Sequence, residues 1–583
     1  MSLHKAALLG LAGVGNAALI IPRDILSSTA QTANCRVLPG DAAWPKASDW
    51  AQLNKTLNGH LITAVPMASV CHDAPYKNFN NDLCSQIQAT WNETKLTHIS
   101  QPAEFLSMYF ENYTCDPFTA RSKPCELGNY ASYIINVTSA ADVQAGIAFA
   151  KKKNVRLVIK NTGHDYLGKS TGKGGLTLWT HNLKSTKFIP NYNAPYYKGP
   201  AIKLGAGIEG FEAYAAANVT GHRIVGGSCP TVGIAGGYSQ GGGHSTLASS
   251  YGLGADNVLE WEVVTPNGSH VVATPTQNSD LYWAITGGGA GTFGVVLSMT
   301  SRLHQDSIVG GASLIFDDSK IGNAAFWEAV GAFHALLPDF VDTGNSATYT
   351  LTSTEFLSWG ITLPGADIDQ VNVLMKPFLD DLTSRGIDYQ YQPHVAPNFF
   401  DHYSYYFGPL PEGYSDYAPF TGSRILPRDL FLDSQNNAIV MDALRNASLS
   451  DGYSPLVCQA LNVSSQYHPD NAVHPAWRTA LSICLTPGNW DPTATPDKMA
   501  ARQDYAANVL QPMLDAATPG GGVYLNEANY KQQNWQEAFH GSNYARLLQI
   551  KKKYDPESLL YANTAVGSEA WYLDSNNRLC RSQ

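Results

Sequence analysis

Charge is what this chain has least of. Asp, Glu, Lys and Arg make up only 15% of 583 residues, with a net charge of −10, against roughly 25% charged residues in an average soluble domain. No long basic run occurs, which argues against a nucleic-acid partner, because phosphate binding needs clustered Lys and Arg to displace counterions. No internal repeat or low-complexity tract is visible. Past the N-terminus no segment approaches the ~20 apolar residues needed to span a bilayer. None of the nine cysteines shows metal-ligand spacing, so no metal is expected.

What is present fits a large exported protein. The length exceeds what one hydrophobic core supports, so two or more domains are expected. Residues 1–21 resemble a secretory leader: His4 and Lys5, then the apolar AALLGLAGVGNAALII, with a cleavage site near Gly15-Asn16-Ala17. Eight Asn-x-Ser/Thr sequons follow, at Asn54, Asn92, Asn112, Asn136, Asn218, Asn267, Asn446 and Asn462. Nine cysteines (35, 71, 84, 115, 125, 229, 458, 484 and 580) leave one over after pairing. Cys71 with Cys84 and Cys115 with Cys125 are close enough to close short loops; the other pairings stay open.

Residues 22–125 are irregular and rich in Cys, Asn and Pro. A strand–helix–strand unit then opens with YIINV, continues through AADVQAGIAFAKK capped by Ser139, and ends in VRLVIK. From about 176 to 310 short strands alternate with glycine clusters. From about 310 to 520, helices such as NAAFWEAVGAFHALL mix with strands such as SATYTLTS, and NYARLLQIKKKY forms a strong tail helix stopped at Asp555-Pro556.

Two glycine motifs invite a nucleotide reading. Residues 163–170, GHDYLGKS, match the phosphate-loop pattern letter for letter. A phosphate loop needs its Lys and Ser to open a helix whose N–H groups face the phosphates. Lys169-Ser170 instead leads to glycines and the β-patterned Leu176, Thr177, Leu178 and Trp179, so these two letters are expected to be incidental to the chemistry. Gly289 to Gly294 match G-x-G-x-x-G, but the strand-like VVLSMTSRL follows where a dinucleotide fold needs a helix. Neither match identifies a nucleotide triphosphatase or a Rossmann domain.

The segment KNTGHDYLGKSTG resembles the flavin-attachment loop of the vanillyl-alcohol oxidase superfamily, in its berberine-bridge-enzyme-like branch. The resemblance implies that His164 bonds to the 8α-methyl of FAD; a neutral imidazole is a competent nucleophile. GGSCPTVGIAGGYSQGGGHS resembles the second attachment segment, which implies a bond from Cys229 to flavin C6 and leaves eight cysteines to pair. The likeness continues through YGLGADNVLEWEVVTPNG, DLYWAITGGGAGTFGVV, SRILPRD, HPAWR and the closing NWQEAFHGSNYARLLQIKKKYDPESLLYANTAVGSEAW, which looks most like the fungal members.

That resemblance implies an α+β fold. An FAD-binding domain over 22–310 (extension 22–125, core 126–310) is completed by a C-terminal segment over 521–583, with an inserted substrate domain over 311–520 built on an antiparallel sheet. Residues expected to hold FAD are Asn161, Thr162, Gly163, His164, Asp165, Gly168 and Ser170 in the first loop. Gly227, Ser228, Cys229, Val232, Gly233, Gly236, Gly237, Gly243 and His244 follow in the second, with Gly294, Val295 and Asn526 beyond it. Substrate would lose a hydride to flavin N5 while a side-chain base takes a proton, and O2 would reoxidise the flavin to give H2O2. Val232, three residues after the flavin cysteine, is small enough in this family's pattern to leave room for O2. The expected protein is a secreted, monomeric FAD-linked oxidase acting on a small molecule, without nucleic-acid or membrane partners. A dehydrogenase or oxidative cyclase of the same fold is the alternative, and a non-catalytic binding protein on the same scaffold is a third.

The base is less plain. Relatives carry a Tyr-x-Asn-Tyr element near the flavin, and here it reads Tyr524-Leu525-Asn526-Glu527. Tyr524 and Glu527 are therefore candidates, as are His402, Tyr403 and Tyr406 in FDHYSYYFG. His244 is expected to support the cofactor.

Overall fold

The computed structural model describes residues 34–582 apart from 92, 414–419, 451–454 and 465–467. The expected leader and the Asn92 sequon lie outside the described residues. Near the N-terminus, strand Leu61–Thr63 pairs antiparallel with Tyr133–Asn136, which runs parallel to Leu176–Trp179, itself parallel to Leu157–Lys160. Parallel neighbours require a crossover, supplied here by helix Ala140–Lys153. Its apolar residues recur at helical spacing, so Val143, Ile147 and Ala150 face the sheet. The Asp142 carboxylate closes the N-terminus by accepting the N–H groups of Thr138 and Ser139, at 2.9 and 3.1 Å. Gly146 is needed there, since a Cβ would fall 2.6 Å from Leu178.

A second, antiparallel sheet of five strands centres on Val295–Arg302, flanked by Tyr197–Gly205 and Val258–Val264. That central strand follows the G-x-G-x-x-G turn directly, so no helix opens there. Likewise Lys169-Ser170 runs into turns and then strand Leu176–Trp179. Both nucleotide motifs fail on structure as they do on pattern.

The third sheet has seven antiparallel strands, from Tyr389–Ala396 at one edge to Phe420–Pro427 at the other. Successive side chains of a strand point to opposite faces. In Leu456–Ala460, Leu456, Cys458 and Ala460 join the core under helices Asn323–Asp342 and Ser434–Ser448, while Val457 and Gln459 point the other way. That second face is one wall of the site described below.

Helix Tyr544–Tyr554 returns the tail to the first two sheets. Lys551 is buried, its Nζ donating to Thr292 O (2.7 Å), Leu560 O (2.8 Å) and Asp555 Oδ2 (2.6 Å). It ties the tail to the glycine turn. The disulfide Cys35–Cys580 joins the two ends of the described chain. Cys71–Cys84 and Cys115–Cys125 pair as expected, Cys458–Cys484 links adjacent strands, and among the described residues Cys229 alone stands outside a disulfide. One sequon fares poorly: Asn462 is buried, and its amide donates to Asp342 at 2.6 Å, where a glycan has no room.

Candidate active site

The first loop is built from the end of strand Leu157–Lys160. Buried Lys160 donates to the carbonyls of Gln101 and Pro102, and burial lowers its pKa to about 7. Asn161 then donates to Thr180 Oγ1 (3.0 Å) and Ala206 O (2.6 Å). Gly163 turns the chain at φ +93°, a conformation open to glycine at no steric cost. Its carbonyl accepts the N–H of Leu106 at 2.9 Å, and Leu106 bridges to His164. The irregular N-terminal stretch thus holds the His164 loop. Asp165 closes the far side by accepting from Leu167 N (2.9 Å) and Ser170 N (2.7 Å).

The second loop is braced by two buried tyrosines. Tyr214 donates to Gly227 O (2.8 Å) and Tyr403 to Ser228 O (2.9 Å). Backbone bonds from Gly210 to Val232 and from Phe211 to Pro230 pin the rest. These constraints bring Cys229 Sγ to 3.9 Å from His164 Nε2, with Thr231 Oγ1 between them at 3.6 and 2.8 Å. Residues 65 apart in sequence form a single pair of nucleophiles.

They open on a cavity of ≈ 590 Å³, within the size range of small-molecule and cofactor sites. Elsewhere on its wall stand Tyr524, Asn526, Glu527, His244 and Gln459. Asn526 Nδ2 bridges Gly237 O (2.8 Å) and the Tyr524 hydroxyl (2.7 Å). His244 Nε2 lies 3.2 Å from both carboxylate oxygens of Glu527, and its Nδ1 bonds Gln459 Oε1. Burial alone would lower the His244 pKa; the charge and hydrogen bond of Glu527, with the bond to Gln459, more than offset it and leave it raised.

Most of the expected residues meet here. Asn161, Thr162, Gly163, His164, Asp165, Ser170, Gly227, Ser228, Cys229, Val232, Gly233, Gly236, Gly237, His244, Gly294, Tyr524, Asn526 and Glu527 all line the cavity. Five do not. Gly168 serves the turn, its φ +73° leaving a Cβ position 2.3 Å from the Phe110 ring. Gly243 packs against Tyr238 in the same way, and Val295 lies in the core between sheet and helix. His402 is fully buried on the sheet side of helix Phe399–Phe407, 3.0 Å from Thr362 Oγ1, and burial drives its pKa to about 3. Tyr403 holds the Cys229 loop, and its phenol is pushed well up by burial. Neither is placed to receive a substrate proton, and Tyr406 packs against His402.

Comparison with known proteins decides what the cavity belongs to. Residues 131–274 match the FAD binding domain family, and residues 523–567 match the berberine and berberine-like family. A VAO-type flavoprotein oxidase of Thermothelomyces thermophilus is 62% identical over 549 residues, covering 94% of this chain and 96% of the relative. The chain belongs to the VAO-type flavoproteins. The crystal structure of a VAO-type flavoprotein from Myceliophthora thermophila superposes with a TM-score of 0.93 at 62% identity, covering 94% of this chain and 100% of that one. A bifunctional decalin synthase of Penicillium decumbens is 46% identical over 99% of both chains. A chitooligosaccharide oxidase, at 20% identity and TM-score 0.62 over 75% of this chain and 92% of that one, shares the fold. The protein is an FAD-linked oxidoreductase of the α+β class.

The residues of this VAO-type site fit FAD. Two nucleophiles stand side by side, and glycines line the wall; a Cβ at Gly237 would meet nothing nearer than 3.8 Å, so backbone there borders open space. Asn161 Oδ1 is buried without a partner at the cavity edge. Sequence reasoning missed Gln459, Trp359 and Tyr166, which also line the cavity. No motif marks Gln459, because its partner His244 is 215 positions away. Lys169 is expected to be incidental, yet it lines the cavity beside Ser170. The Asp165 clasp turns this loop inward, and burial brings the Lys169 ammonium to a pKa of about 8.

Proposed function

We propose that the protein is a secreted oxidase whose FAD is attached twice, through the 8α-methyl to His164 and through C6 to Cys229. The observation carrying this is the 3.9 Å approach of His164 Nε2 and the Cys229 Sγ, which is in no disulfide, on one wall of the cavity. Positions 8 and 6 lie on the same flavin ring, one carbon apart, so their two nucleophiles must stand together. Bound FAD supplies the redox chemistry: it takes a hydride from an alcohol or other C–H substrate and passes both electrons to O2, yielding H2O2. The chain supplies the placement. Tyr214 and Tyr403 fix the cysteine loop, Leu106 fixes the histidine loop, and Glu527 with His244 confronts the substrate space. Val232, small and lining the cavity, supports O2 as acceptor.

In this reading the flavin domain comprises 22–310 and 521–583, and the substrate domain 311–520. The protein works as a monomer. Four disulfides support export, and no helix among the described residues is long and apolar enough to cross a membrane. The 46% relative named as a decalin synthase favours one second reading, an oxidative cyclase of the same fold. A cyclised product would establish it.

The test is an absorption spectrum of acid-denatured protein. Flavin colour should stay with the polypeptide in wild type and in His164→Ala or Cys229→Ala, and leave in the double variant. Release of all flavin from wild type contradicts the proposal.

A further inference from the structure

We propose that Glu527 takes the hydroxyl proton of the substrate, and that His244, held as an imidazolium between Glu527 and Gln459, keeps that carboxylate ionised. The inference rests on the oxidase reading above and assigns its proton acceptor.

The argument starts from hydrogen-bond supply. A neutral imidazole offers one N–H and one lone pair. His244 meets acceptors on both sides: the two carboxylate oxygens of Glu527 at 3.2 Å from Nε2, and Gln459 Oε1 at Nδ1. The Gln459 amide presents its Oε1 to Nδ1, with its Nε2 3.4 Å from Thr348 Oγ1 on the neighbouring strand. In this orientation both ring nitrogens face acceptors, an arrangement that the doubly protonated ring satisfies and a neutral ring does not. An imidazolium has no lone pair and is no base. Consistent with this, the surroundings raise the affinity of His244 for its second proton despite burial.

The same count eliminates the phenols. The titratable side chains facing Glu527 are His244 from the glycine loop, Tyr166 from the attachment loop, Tyr238 from the turn below, and Tyr524 from its own segment. Burial, first of all, pushes all three phenols up, so each stays neutral at working pH. The Tyr524 oxygen already accepts from Asn526. Among these groups Glu527 alone is a carboxylate, and with 19% of its side chain exposed it reaches the cavity. An adjacent opposite charge favours the ionised form. The relatives' second tyrosine is thus replaced by a carboxylate whose ionisation is guarded by a cation from a different segment. In the step itself, the substrate C–H leaves with its electron pair to the flavin, the O–H proton passes to Glu527, and C=O forms. Both hydrogens end in H2O2, so alcohol plus O2 gives carbonyl compound plus H2O2.

The experiment uses holoenzyme carrying 13C-labelled histidine, with His244 assigned by difference from His244→Asn. Its ring carbons should titrate above pH 6.5, and in Glu527→Gln the transition should fall. A His244 that titrates below pH 6, or is unmoved in Glu527→Gln, overturns the ion pair. Wild type is then mixed anaerobically with a panel of primary and secondary alcohols, reading loss of flavin colour. With the fastest alcohol, Glu527→Gln should lose about 10²–10⁴-fold in bleaching rate. His244→Gln should shift the acid limb of the rate profile upward by about 1–3 pH units, the loss of a neighbouring charge, where a purely structural loss would lower the rate equally at all pH. Near-wild-type bleaching in Glu527→Gln, or an unmoved limb in His244→Gln, overturns the assignment. If no alcohol bleaches wild type, the hydroxyl-proton role of Glu527 falls, while the acid-denatured spectrum still judges the flavin attachment and the titration still judges the ion pair.

Discussion

The two walls of the cavity are built in opposite ways. On one, His164 and Cys229 come from two glycine-rich loops and meet at 3.9 Å. Each loop is held by hydrogen bonds to its backbone, from Leu106 on one side and from Tyr214 and Tyr403 on the other. On the other wall, His244, Gln459 and Glu527 come from a glycine loop, a strand of the seven-stranded sheet and the returning tail, and they meet side chain to side chain. The first wall is a pair of local motifs on a braced backbone. The second exists only when three distant segments have docked. The His164–Cys229 wall can therefore be written into short sequence patterns, whereas the Glu527 wall depends on assembly.

The largest expected effect strikes the docking of the tail. Asp555→Asn leaves the Lys551 ammonium buried among carbonyls without its counter-charge, which should cost about 3–5 kcal/mol. Chemical denaturation should show it, and a loss below about 1 kcal/mol would mean the tail is held mainly by packing. Next in size is a cut in the bracing of the first wall. Tyr403→Phe removes the donor to Ser228 O and should cost about 0.5–1.5 kcal/mol, with a lower fraction of flavin linked to Cys229. Linkage that stays complete would show that Tyr214 suffices.

The smallest effect is one of sign. His98, His334 and His474 are held neutral by burial at pKa about 4, and His304, His402 and His540 at about 3. A depressed pKa contributes stability above the unfolded value of about 6.5 that is lost as pH falls. His244 is raised, so its contribution is complete below 6.5 and is lost as pH rises through its folded value. His244→Gln should therefore steepen the gain in Tm between pH 6 and 8. An unchanged slope would mean that the second wall carries no charged histidine.

The same contrast explains what could be read in advance. Helix Ala140–Lys153 and its flanking strands follow from apolar spacing, and the short disulfides follow from proximity in sequence. His164 and Cys229 stand inside contiguous motifs. His402 and Tyr403 were legible as chemistry-bearing residues but not as buried ones, because the face that a nine-residue helix turns inward depends on the sheet it meets. Gln459 was invisible, since an alternating strand shows which residues share a face but not which histidine will sit opposite. Lys169 was set aside because its motif was false, yet the loop that disproves the motif also turns the lysine into the cavity. The irregular N-terminal stretch gave no hint that Leu106 would pair with the attachment histidine.

The most direct measurement is a proteolytic digest of the reduced, alkylated holoenzyme, followed by mass spectrometry. One flavin should join the peptide containing His164 to the peptide containing Cys229. Two separate, unmodified peptides with free FAD would contradict the account at its centre.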